Sequence, residues 1–563
     1  MRTKWMRAVL GACVMAACVT VAFGQATTNP APAAAKPTPA AEKYTGPARE
    51  GWWNDAVFYE VFVRSFADST RGPLAGDGIG DIRGLIERLD YLNDGDSKTD
   101  TDLGVTALWL MPVTQSPSYH GYDTTDYLAV NDKYGTAEDF KELMAECHKR
   151  GIRVVIDLVL NHCSDKHPWF QAAKDKTDPK HDWFIWNEKR PDWKGPWNQT
   201  VWHPLSPAKG RGGGDASAGI GPWYYGCFGR NMPDLNFANP AVTTEMHGVV
   251  RYWLDGMGVD GFRLDAIRHL IEDGEHQDNT PQTHAWLREF YTNYKQRKPE
   301  AFVVGEVWSS TDVISTYVGD QMDTAFEFQL AGALMQGVKS GNAKELGSAL
   351  ERTWKSFPRN QFATFLTNHD QARVMTELKG DASKARLAAG LLMTLPGVPF
   401  IYYGEEIGMS GPKPDEKIRT PMQWEPGAGV GFTTGKPWQT PNADATERNV
   451  RAESADTGSL LSFYRRMIRL RRETPALRRG DFELVPTGSD RVLAFERREG
   501  DQRVLVVANV GAEATGKYQL QWPEKHKPAN GTAKDLASGK SAAWKDGSLG
   551  ELPARSVMVV ELK

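Results

Sequence analysis

Eight short apolar runs, separated by stretches of helical periodicity, constrain the fold of this chain more than any other feature of its sequence. Each run has the length and the apolar content that are typical of a buried strand. Three of the intervening stretches, at 137–150, 281–297 and 383–395, have apolar residues at helical spacing. Strands that alternate with helices predict an α/β fold, a (β/α)8 barrel. The eight runs lie at 57–66, 107–113, 154–160, 261–267, 302–308, 325–330, 362–368 and 398–403.

The N-terminal residues predict export of the protein. Residues 1–24 have a basic start and an apolar run that is too short to span a bilayer, which is typical of a signal peptide. Lipoprotein processing at Cys18 is the alternative. Residues 25–50, rich in Ala and Pro, are predicted to be a linker. We therefore expect an exported protein, periplasmic or extracellular, without an integral membrane segment once the signal has been removed.

Two further segments extend the predicted barrel, which itself takes up residues 51–162 and 240–478. Residues 163–239 are too many for an ordinary loop, so we expect a small subdomain inserted after the third strand. Its many aromatic residues either form a core of their own or line a cleft over the barrel mouth. In 479–563, short alternating runs at 492–495, 503–507, 518–522 and 557–562 predict a C-terminal antiparallel β-domain, a β-sandwich.

The composition argues against some functions and leaves other questions open. The 563 residues have a formal net charge of -4, which gives no electrostatic case for binding nucleic acid. Three cysteines remain after the predicted signal, and no Cys/His set has the spacing of a zinc site. Cys163 and Cys227 could pair in an oxidising compartment, or Cys147, Cys163 and Cys227 could all be free thiols. The oligomeric state is left open by the sequence.

Polar residues crowd the ends of four predicted strands. They are Asn161, His162, Arg263, Asp265, Glu306, Asn368, His369 and Asp370. Because the active sites of such barrels lie at the C-terminal ends of the strands, we expect these side chains to meet in one site. Arg263 and Asp265 lie two positions apart, so both point to the same face of their strand. Taken alone, this pair is either a structural ion pair or part of the site.

Two of these carboxyl groups are expected to differ in protonation. Glu306 lies among apolar residues and near Trp308, so burial should raise its pKa and suit it to act as a general acid. Asp265 lies beside Arg263, which should keep the carboxylate ionised and suited to act as a nucleophile. Such a pair is typical of a retaining glycosidase, in which the two carboxyl groups lie about 5 Å apart. Asp370 would add a third carboxylate, which could bind sugar hydroxyls or stabilise positive charge.

Several of these segments resemble the signature regions of one enzyme superfamily. Residues 157–162 (DLVLNH), 261–269 (GFRLDAIRH), 305–308 (GEVW) and 365–370 (FLTNHD) resemble its four main regions. Residues 232–236 (MPDLN), 104–113 and 397–408 resemble three further regions. By these motifs the chain is similar to the α-amylase superfamily of retaining glycoside hydrolases, in the group intermediate between oligo-1,6-glucosidases and neopullulanases.

The resemblance implies a role for each matching residue. Asp265 would be the nucleophile, Glu306 the general acid and then the base, and Asp370 the carboxylate that binds ring hydroxyls and favours the transition state. Arg263 would hold Asp265, and Tyr122 would stack on the sugar. The residues implied to bind substrate are His120, Tyr122, His162, Arg263, His369 and Arg373.

The resemblance also implies a reaction and its alternatives. We expect hydrolysis of α-1,4-glucosidic bonds in starch, maltodextrins or maltooligosaccharides, of the α-amylase type, through a covalent glycosyl-enzyme. His120 and Ala266 favour this reaction, whereas Arg373, in the segment 368–373, resembles the residue found in α-glucosidases. The alternatives are an α-glucosidase, a transglycosidase such as trehalose synthase, or a non-catalytic relative that binds sugar or supports a transporter. The presence of all three carboxyl groups disfavours the last, and no organic cofactor is expected.

A calcium site is a further prediction. Residues 77–81 (DGIGD) place carboxylates around glycines, and the ligand set would be Asp68, Thr70, Asp77, Ile79 and Asp81. The alternative is a Gly-rich turn in which Asp81 caps the following helix. The resemblance to amylase-like relatives also implies a second metal site at Asn161 and His269, which the sequence leaves open.

Overall fold

Eight parallel strands form the closed sheet that the sequence predicts. In chain order they are β1 (Phe58–Val61), β2 (Ala107–Leu110), β3 (Arg153–Leu158), β4 (Gly261–Leu264), β5 (Phe302–Gly305), β6 (Thr324–Ala325), β7 (Ala363–Thr364) and β8 (Val398–Tyr402). They lie side by side in the order β6-β5-β4-β3-β2-β1-β8-β7. A parallel bridge between Phe326 and Ala363 joins the two ends of this sheet. The predicted (β/α)8 barrel is therefore confirmed.

This computed structural model describes residues 42–207, 219–522, 528 and 531–562. The predicted signal peptide at 1–24, and the predicted linker as far as residue 41, lie outside the described residues. Within the described residues, no helix is long and apolar enough to cross a membrane.

Helices connect the barrel strands, and several begin at a side chain that caps the first turn. The hydroxyl of Thr136, for example, accepts a hydrogen bond from the main-chain N–H of Asp139 at 3.2 Å. The longer helices are Ala137–Lys149, Pro240–Arg251, Pro281–Arg297, Phe328–Ser340, Lys344–Ser356, Ala382–Thr394 and Leu460–Glu473. The shorter ones are Val63–Phe66, Ile82–Glu87, Leu89–Leu92, Pro168–Ala173, Thr311–Ile314, Val374–Glu377, Asp415–Ile418, Val450–Ala455 and Pro475–Arg479.

The sixth predicted strand is the one that differs most from the structure. The sequence predicts an extended run at 325–330, yet only Thr324–Ala325 pairs as a strand and a helix begins at Phe328. The carboxylate of Glu327 caps this helix by accepting from the main-chain N–H of Leu330. An apolar run of this length does not distinguish a strand from a buried helix turn. Here the cap formed by Glu327 stabilises the first turn of the helix.

Apolar side chains fill the barrel interior. The rings of Phe58 and Phe400 stack at 4.3 Å between centroids, and Trp53 stacks on Phe302 at 5.3 Å. These rings belong to one buried cluster that also contains Val155 and Val304. Because the interior is packed rather than open, polar chemistry is confined to the strand ends.

The segment inserted after β3 forms its own small sheet. Its strands are Trp186–Asn187, Trp202–Pro207 and Gly219–Tyr225, paired antiparallel. Trp202, Trp223 and Tyr225 pack in a small buried cluster, so part of the aromatic content does form a core.

Cys147, Cys163 and Cys227 are buried free thiols.

The C-terminal strands form one six-stranded antiparallel sheet in the described residues. They are Asp481–Leu484, Val492–Glu499, Gln502–Asn509, Gly531–Asp535, Ser541–Trp544 and Ser556–Leu562. The predicted antiparallel domain is therefore present, although the run at 518–522 is not a strand. Tyr518 and Leu520 of that run nevertheless bury their side chains against the sheet, which explains their apolar pattern.

Candidate active site

Arg263 is the centre of the polar cluster at the C-terminal end of the barrel. Its side chain lies in β4 and is 1% exposed. Nη1 donates to Asp157 Oδ1 at 2.8 Å and to Asp265 Oδ1 at 2.7 Å. Nη2 donates to Glu306 Oε2 at 2.7 Å. One guanidinium thus gathers three carboxyl groups from the ends of adjacent strands, and this pairing compensates for their burial.

The main chain after the nucleophile candidate also points into the site. Ala266 has φ 47° and ψ 31°, a left-handed conformation that costs a non-glycine residue about 1 kcal/mol or more. Its N–H donates to Glu306 Oε2 at 3.1 Å. Asp265 and Glu306 are therefore fixed relative to each other by the side chain of Arg263 and the main-chain N–H of Ala266.

Burial raises the pKa values of Asp265 and Glu306 to different extents. Burial raises the pKa of Asp265 to about 6, against the lowering effect of Arg263 and with a further rise from Asp157 and Asp370. Burial raises the pKa of Glu306 to about 7, again against Arg263 and with a rise from Asp265. Glu306 therefore keeps its proton to higher pH than Asp265, which is the order that acid and nucleophile need.

Asp370 lies on the other side of the site, held by a histidine and an arginine. Arg419 Nη2 donates to Asp370 Oδ1 at 2.8 Å, and His369 Nε2 lies 3.3 Å from Asp370 Oδ2. Although burial raises the pKa of Asp370, His369 and Arg419 lower it overall. Asp370 is therefore an ionised group, suited to bind hydroxyls or to face positive charge.

A chain of hydrogen bonds connects His369 to the Arg263 cluster. His369 Nδ1 lies 2.6 Å from Glu60 Oε1, and its Nε2 lies 2.7 Å from the hydroxyl of Tyr122. That hydroxyl donates to Asp157 Oδ2 at 3.1 Å. Burial lowers the pKa of His369, but the carboxylates of Asp370 and Glu60 raise it overall, which favours the imidazolium. The predicted sugar-binding residues Tyr122 and His369 are thus brought together.

Two predicted substrate-binding histidines differ in their surroundings. His162 is buried, and its Nε2 has no hydrogen-bond partner among the described residues. Burial lowers the pKa of His162 to about 4, so its ring is neutral near neutral pH. His120 is half-buried, and its Nδ1 accepts from the main-chain N–H of Tyr122 at 3.1 Å. The unpartnered nitrogen of His162 is enclosed by protein, so contact of this histidine with a sugar hydroxyl stays a prediction.

Arg373, another residue predicted to bind substrate, is held by the segment around β8. Its side chain is 2% exposed, stacks on the rings of Tyr402 and Tyr403, and donates to the main-chain carbonyls of Ile418 and Tyr403. These contacts engage Nε, Nη1 and both faces of the guanidinium, whereas the buried Nη2 has no hydrogen-bond partner among the described residues. Contact of Arg373 with substrate stays a prediction.

The segment predicted to bind calcium folds as a turn held by its own carboxylates. Asp81 is buried and caps the helix Ile82–Glu87, accepting from the N–H of its third residue at 2.8 Å. Asp68 accepts from the N–H groups of Gly76 and Gly78 at 2.9 Å each. The capping alternative is thus the arrangement that this segment adopts.

The remaining members of the predicted calcium set are also engaged. The hydroxyl of Thr70 donates to Glu87 at 3.0 Å, and Asp77 accepts from the N–H of Ile79 at 2.8 Å. Over the described part of the chain, no group of three or more His, Cys, Asp or Glu side chains is arranged to hold a metal ion. Calcium, at this segment or at the second site, stays a prediction.

Three residues of the site were not found by sequence reasoning. Glu60 in β1 and Asp157 in β3 are buried acids within apolar strands, a signal that could have found them. Arg419 comes from the segment after β8, and nothing in its local sequence points to the site. Its place is known only from its contacts with His369 and Asp370.

An open cleft of about 410 Å³ lies over this cluster. It is lined by Trp197, Phe228, Ala266, Arg268, His269, Glu306, Trp308 and Asp370. Trp197 comes from the inserted subdomain, so that subdomain forms one wall of the cleft. A (β/α)8 barrel with two such carboxyl groups on its rim and an aromatic cleft defines a glycoside hydrolase.

Comparisons with known proteins give the family. The model of the α-amylase catalytic domain matches residues 60–480. Alpha-amylase 3 of Dictyoglomus thermophilum is 38% identical over 486 residues, which cover 84% of this chain and 89% of that protein. The trehalose synthase/amylase TreS of Mycolicibacterium smegmatis is 34% identical over 520 residues, which cover 81% of this chain and 83% of that protein.

The solved structures that are similar to this one include enzymes of the same kind as the relatives found by sequence. The crystal structure of α-amylase from H. orenii has 37% identity and a TM-score of 0.78, and the match covers 90% of this chain and 99% of that one. The trehalulose synthase MutB from Pseudomonas mesoacidophila MX-45 has 29% identity and a TM-score of 0.77. The chain belongs to the α-amylase family of retaining glycoside hydrolases.

Proposed function

We propose that the protein hydrolyses α-1,4-glucosidic bonds in starch, maltodextrins or maltooligosaccharides with retention of configuration. The observation on which this depends most is that Arg263 holds Asp265 and Glu306 together at the barrel rim. Relatives whose names include α-amylase support the choice of substrate.

In the first step, Asp265 attacks the anomeric carbon of the bound glucose unit. The bond between that carbon and the leaving oxygen breaks, and Glu306 gives its proton to the leaving oxygen. Arg263 stays on Asp265 throughout, and Asp370 faces the positive charge that develops on the sugar. The products are a free sugar chain and a glycosyl ester of Asp265.

In the second step, the ionised Glu306 takes a proton from water. The water oxygen bonds to the anomeric carbon, the ester bond to Asp265 breaks, and Glu306 is protonated again. Two inversions at the same carbon give net retention. All carboxyl groups then have their starting charges.

Maltoheptaose is the substrate that tests this proposal. Early products are separated by chromatography, and the anomer released is followed by proton NMR. We expect shorter maltooligosaccharides with the α-configuration, and loss of activity by about 10³-fold or more in Asp265→Asn. Rearranged disaccharide as the main early product would support a trehalose synthase instead. Normal turnover by Asp265→Asn would refute the mechanism.

We also propose that the protein is exported, on the basis of its basic and apolar N-terminal residues. Expression of the full chain followed by cell fractionation and N-terminal sequencing tests this. Export predicts a mature N-terminus near Gln25, outside the cytoplasm. A mature chain that keeps Met1 in the cytoplasm would refute it, and lipid attached at Cys18 would show lipoprotein processing.

A further inference from the structure

A second cavity lies at the end of the barrel opposite to Asp265 and Glu306. It adjoins Ala56, Thr106 and Gly151, which come just before strands β1, β2 and β3. The active site lies at the C-terminal ends of the strands, so this basal cavity is separate from it. The volume of the basal cavity, about 320 Å³, lies within the range of small-molecule sites.

Two arginines that line the basal cavity each keep a terminal nitrogen free. Arg472 Nη1 donates to the main-chain carbonyl of Gly104 at 3.3 Å. Arg478 Nη1 donates to Asp55 Oδ1 at 2.8 Å, and the buried Nε of Arg478 has no hydrogen-bond partner in the described part of the chain. The second terminal nitrogen, Nη2, of both side chains has no partner among the described residues either. These N–H groups need an acceptor, which is either water or a ligand.

The carboxylate next to these arginines is already held by a second cation. Arg479 Nη2 donates to Asp55 Oδ2 at 2.6 Å, so Asp55 is shared by Arg478 and Arg479. Although burial raises the pKa of Asp55, the hydrogen bond from Arg479 and the charge of Arg478 lower it overall. Arg472 has no ion pair within the described residues. Its positive charge is therefore left for a ligand.

A third arginine adds positive charge to the wall of the basal cavity. Arg153 Nη1 lies 2.9 Å from Asp260 Oδ1, and Lys298 Nζ lies 3.5 Å from the same oxygen. Asp260 is thus divided between two cations, as Asp55 is. Of the described residues that line the cavity, Asp55 alone is acidic. An anion that enters would therefore meet three guanidinium groups and no unpaired carboxylate.

The same cavity contains a flat apolar surface and a hydroxyl group. The half-buried ring of Trp52 is fixed, because its Nε1 donates to the main-chain carbonyl of Glu300 at 2.9 Å and it packs against Phe302 at 5.6 Å between centroids. The hydroxyl oxygen of Thr106 accepts from the main-chain N–H of Val57 at 3.2 Å, which leaves its proton free to donate. An indole beside guanidinium groups suits a phosphate that is attached to a sugar ring.

We propose that Arg472 and Arg478 bind a phosphate group in the basal cavity, either as inorganic phosphate or on a small sugar that rests on Trp52. The planar fork of a guanidinium matches two oxygens of a phosphate, and a hydrogen bond between the two charged groups is stronger than one between neutral groups. This inference is independent of the proposed hydrolysis, because the site needs neither Asp265 nor Glu306.

Calorimetric titration of the full-length protein at low ionic strength tests the inference, since salt would screen the interaction. The probes are inorganic phosphate, glucose 6-phosphate and glucose, and glucose alone measures binding of the sugar at the active site. We expect both phosphates to bind, and both affinities to fall about tenfold or more in Arg472→Gln. Tighter binding of glucose 6-phosphate that is lost in Trp52→Ala would assign the phosphorylated sugar, whereas equal binding of the two phosphates would assign inorganic phosphate.

Arg466→Gln is the matched control, because Arg466 lies on the same helix as Arg472 but does not line the basal cavity. The control loses the same charge and should keep the affinity of the wild type. Arg478→Gln gives a second test, with the same loss expected, and it decides if Arg472→Gln does not fold. Absence of binding by both phosphates would overturn the inference. Affinities that stay at the wild-type value in Arg472→Gln and Arg478→Gln would also overturn it.

Discussion

A single guanidinium keeps three carboxyl groups together in a space largely closed to bulk water. Arg263 reaches Asp157, Asp265 and Glu306 with two nitrogens, and the planar fork of arginine makes this geometry possible. Lysine is a point charge and could neutralise only part of the set. The charge state of both catalytic candidates therefore depends on this residue as well as on burial.

Replacing Arg263 with Lys is accordingly expected to be far from conservative. We expect kcat/KM on maltoheptaose to fall by about 10²–10³-fold, because Asp265 and Glu306 lose their common partner. Steady-state kinetics of the purified variant measure this. Arg153→Lys is the control, since Arg153 forms a half-exposed ion pair with Asp260 at the other end of the barrel. Similar kinetics for both variants would contradict the central role of Arg263.

The pH dependence of kcat/KM should be a narrow bell. The nucleophile must be ionised, so activity should rise with pH as Asp265, whose pKa burial raises to about 6, loses its proton. The acid must be protonated, so activity should fall as Glu306, whose pKa burial raises to about 7, loses its own. The two groups interact, so the limbs belong to the pair. Initial rates at low substrate from pH 4 to 9 check this, and two limbs below pH 5 would contradict it.

The residue scale also shows where sequence reasoning succeeds and where it fails. Asp265, Glu306 and Asp370 each follow a recognisable strand, so the barrel rule predicts that they meet. Arg419 cannot be found in this way, because it does not directly follow a strand and only the path of the chain after β8 brings it to His369 and Asp370. Local sequence patterns do not predict contacts between segments that are distant in sequence.

At the scale of elements, the sequence predicts that strands exist better than it predicts where they end. Each of the eight barrel strands overlaps a predicted apolar run, but the runs at 57–66 and 325–330 continue into helices Val63–Phe66 and Phe328–Ser340. The apolar pattern reports burial, and both a strand and the first turn of a buried helix satisfy it. The strands β6 and β7 are only two residues long, which is too short for a periodic signal.

The turn at Asp81 allows the cap and the calcium prediction to be tested together. Asp81→Ala removes a helix cap, so we expect the free energy of unfolding to fall by about 1 kcal/mol in urea titrations without calcium. Asp77→Ala, which loses a single main-chain contact, should have a smaller effect. If the segment binds calcium, both variants should lower the affinity in calorimetric titrations. Equal stability of Asp81→Ala and wild type would contradict the capping role.

At the scale of the whole molecule, two buried arginines satisfy main-chain carbonyls near the boundary between the barrel and the C-terminal sheet, and one of them, Arg497, belongs to the sheet itself. Arg497, in the strand Val492–Glu499, donates to the carbonyls of Leu477 and Gly480 at 3.1 and 2.9 Å. Arg471 donates to the carbonyls of Met393 and Leu395 at 2.9 Å each. These carbonyls come from turns and helix ends, where no strand or helix partner exists for them.

Removing one of these arginines should therefore weaken the whole molecule and not the C-terminal sheet alone. Arg497→Leu would leave several buried carbonyls without a donor, so we expect the free energy of unfolding to fall by about 3 kcal/mol, with kcat at 25 °C unchanged. Arg491→Leu, which breaks an exposed ion pair with Glu513, should cost about 0.5 kcal/mol or less.

Urea unfolding followed both by tryptophan fluorescence and by activity measures the effect. A joint shift of both signals is expected, because the carbonyls that Arg497 satisfies lie between the last barrel helix and the sheet. A shift in fluorescence alone, with activity lost at the wild-type urea concentration, would mean that the sheet unfolds independently and that Arg497 does not couple it to the barrel.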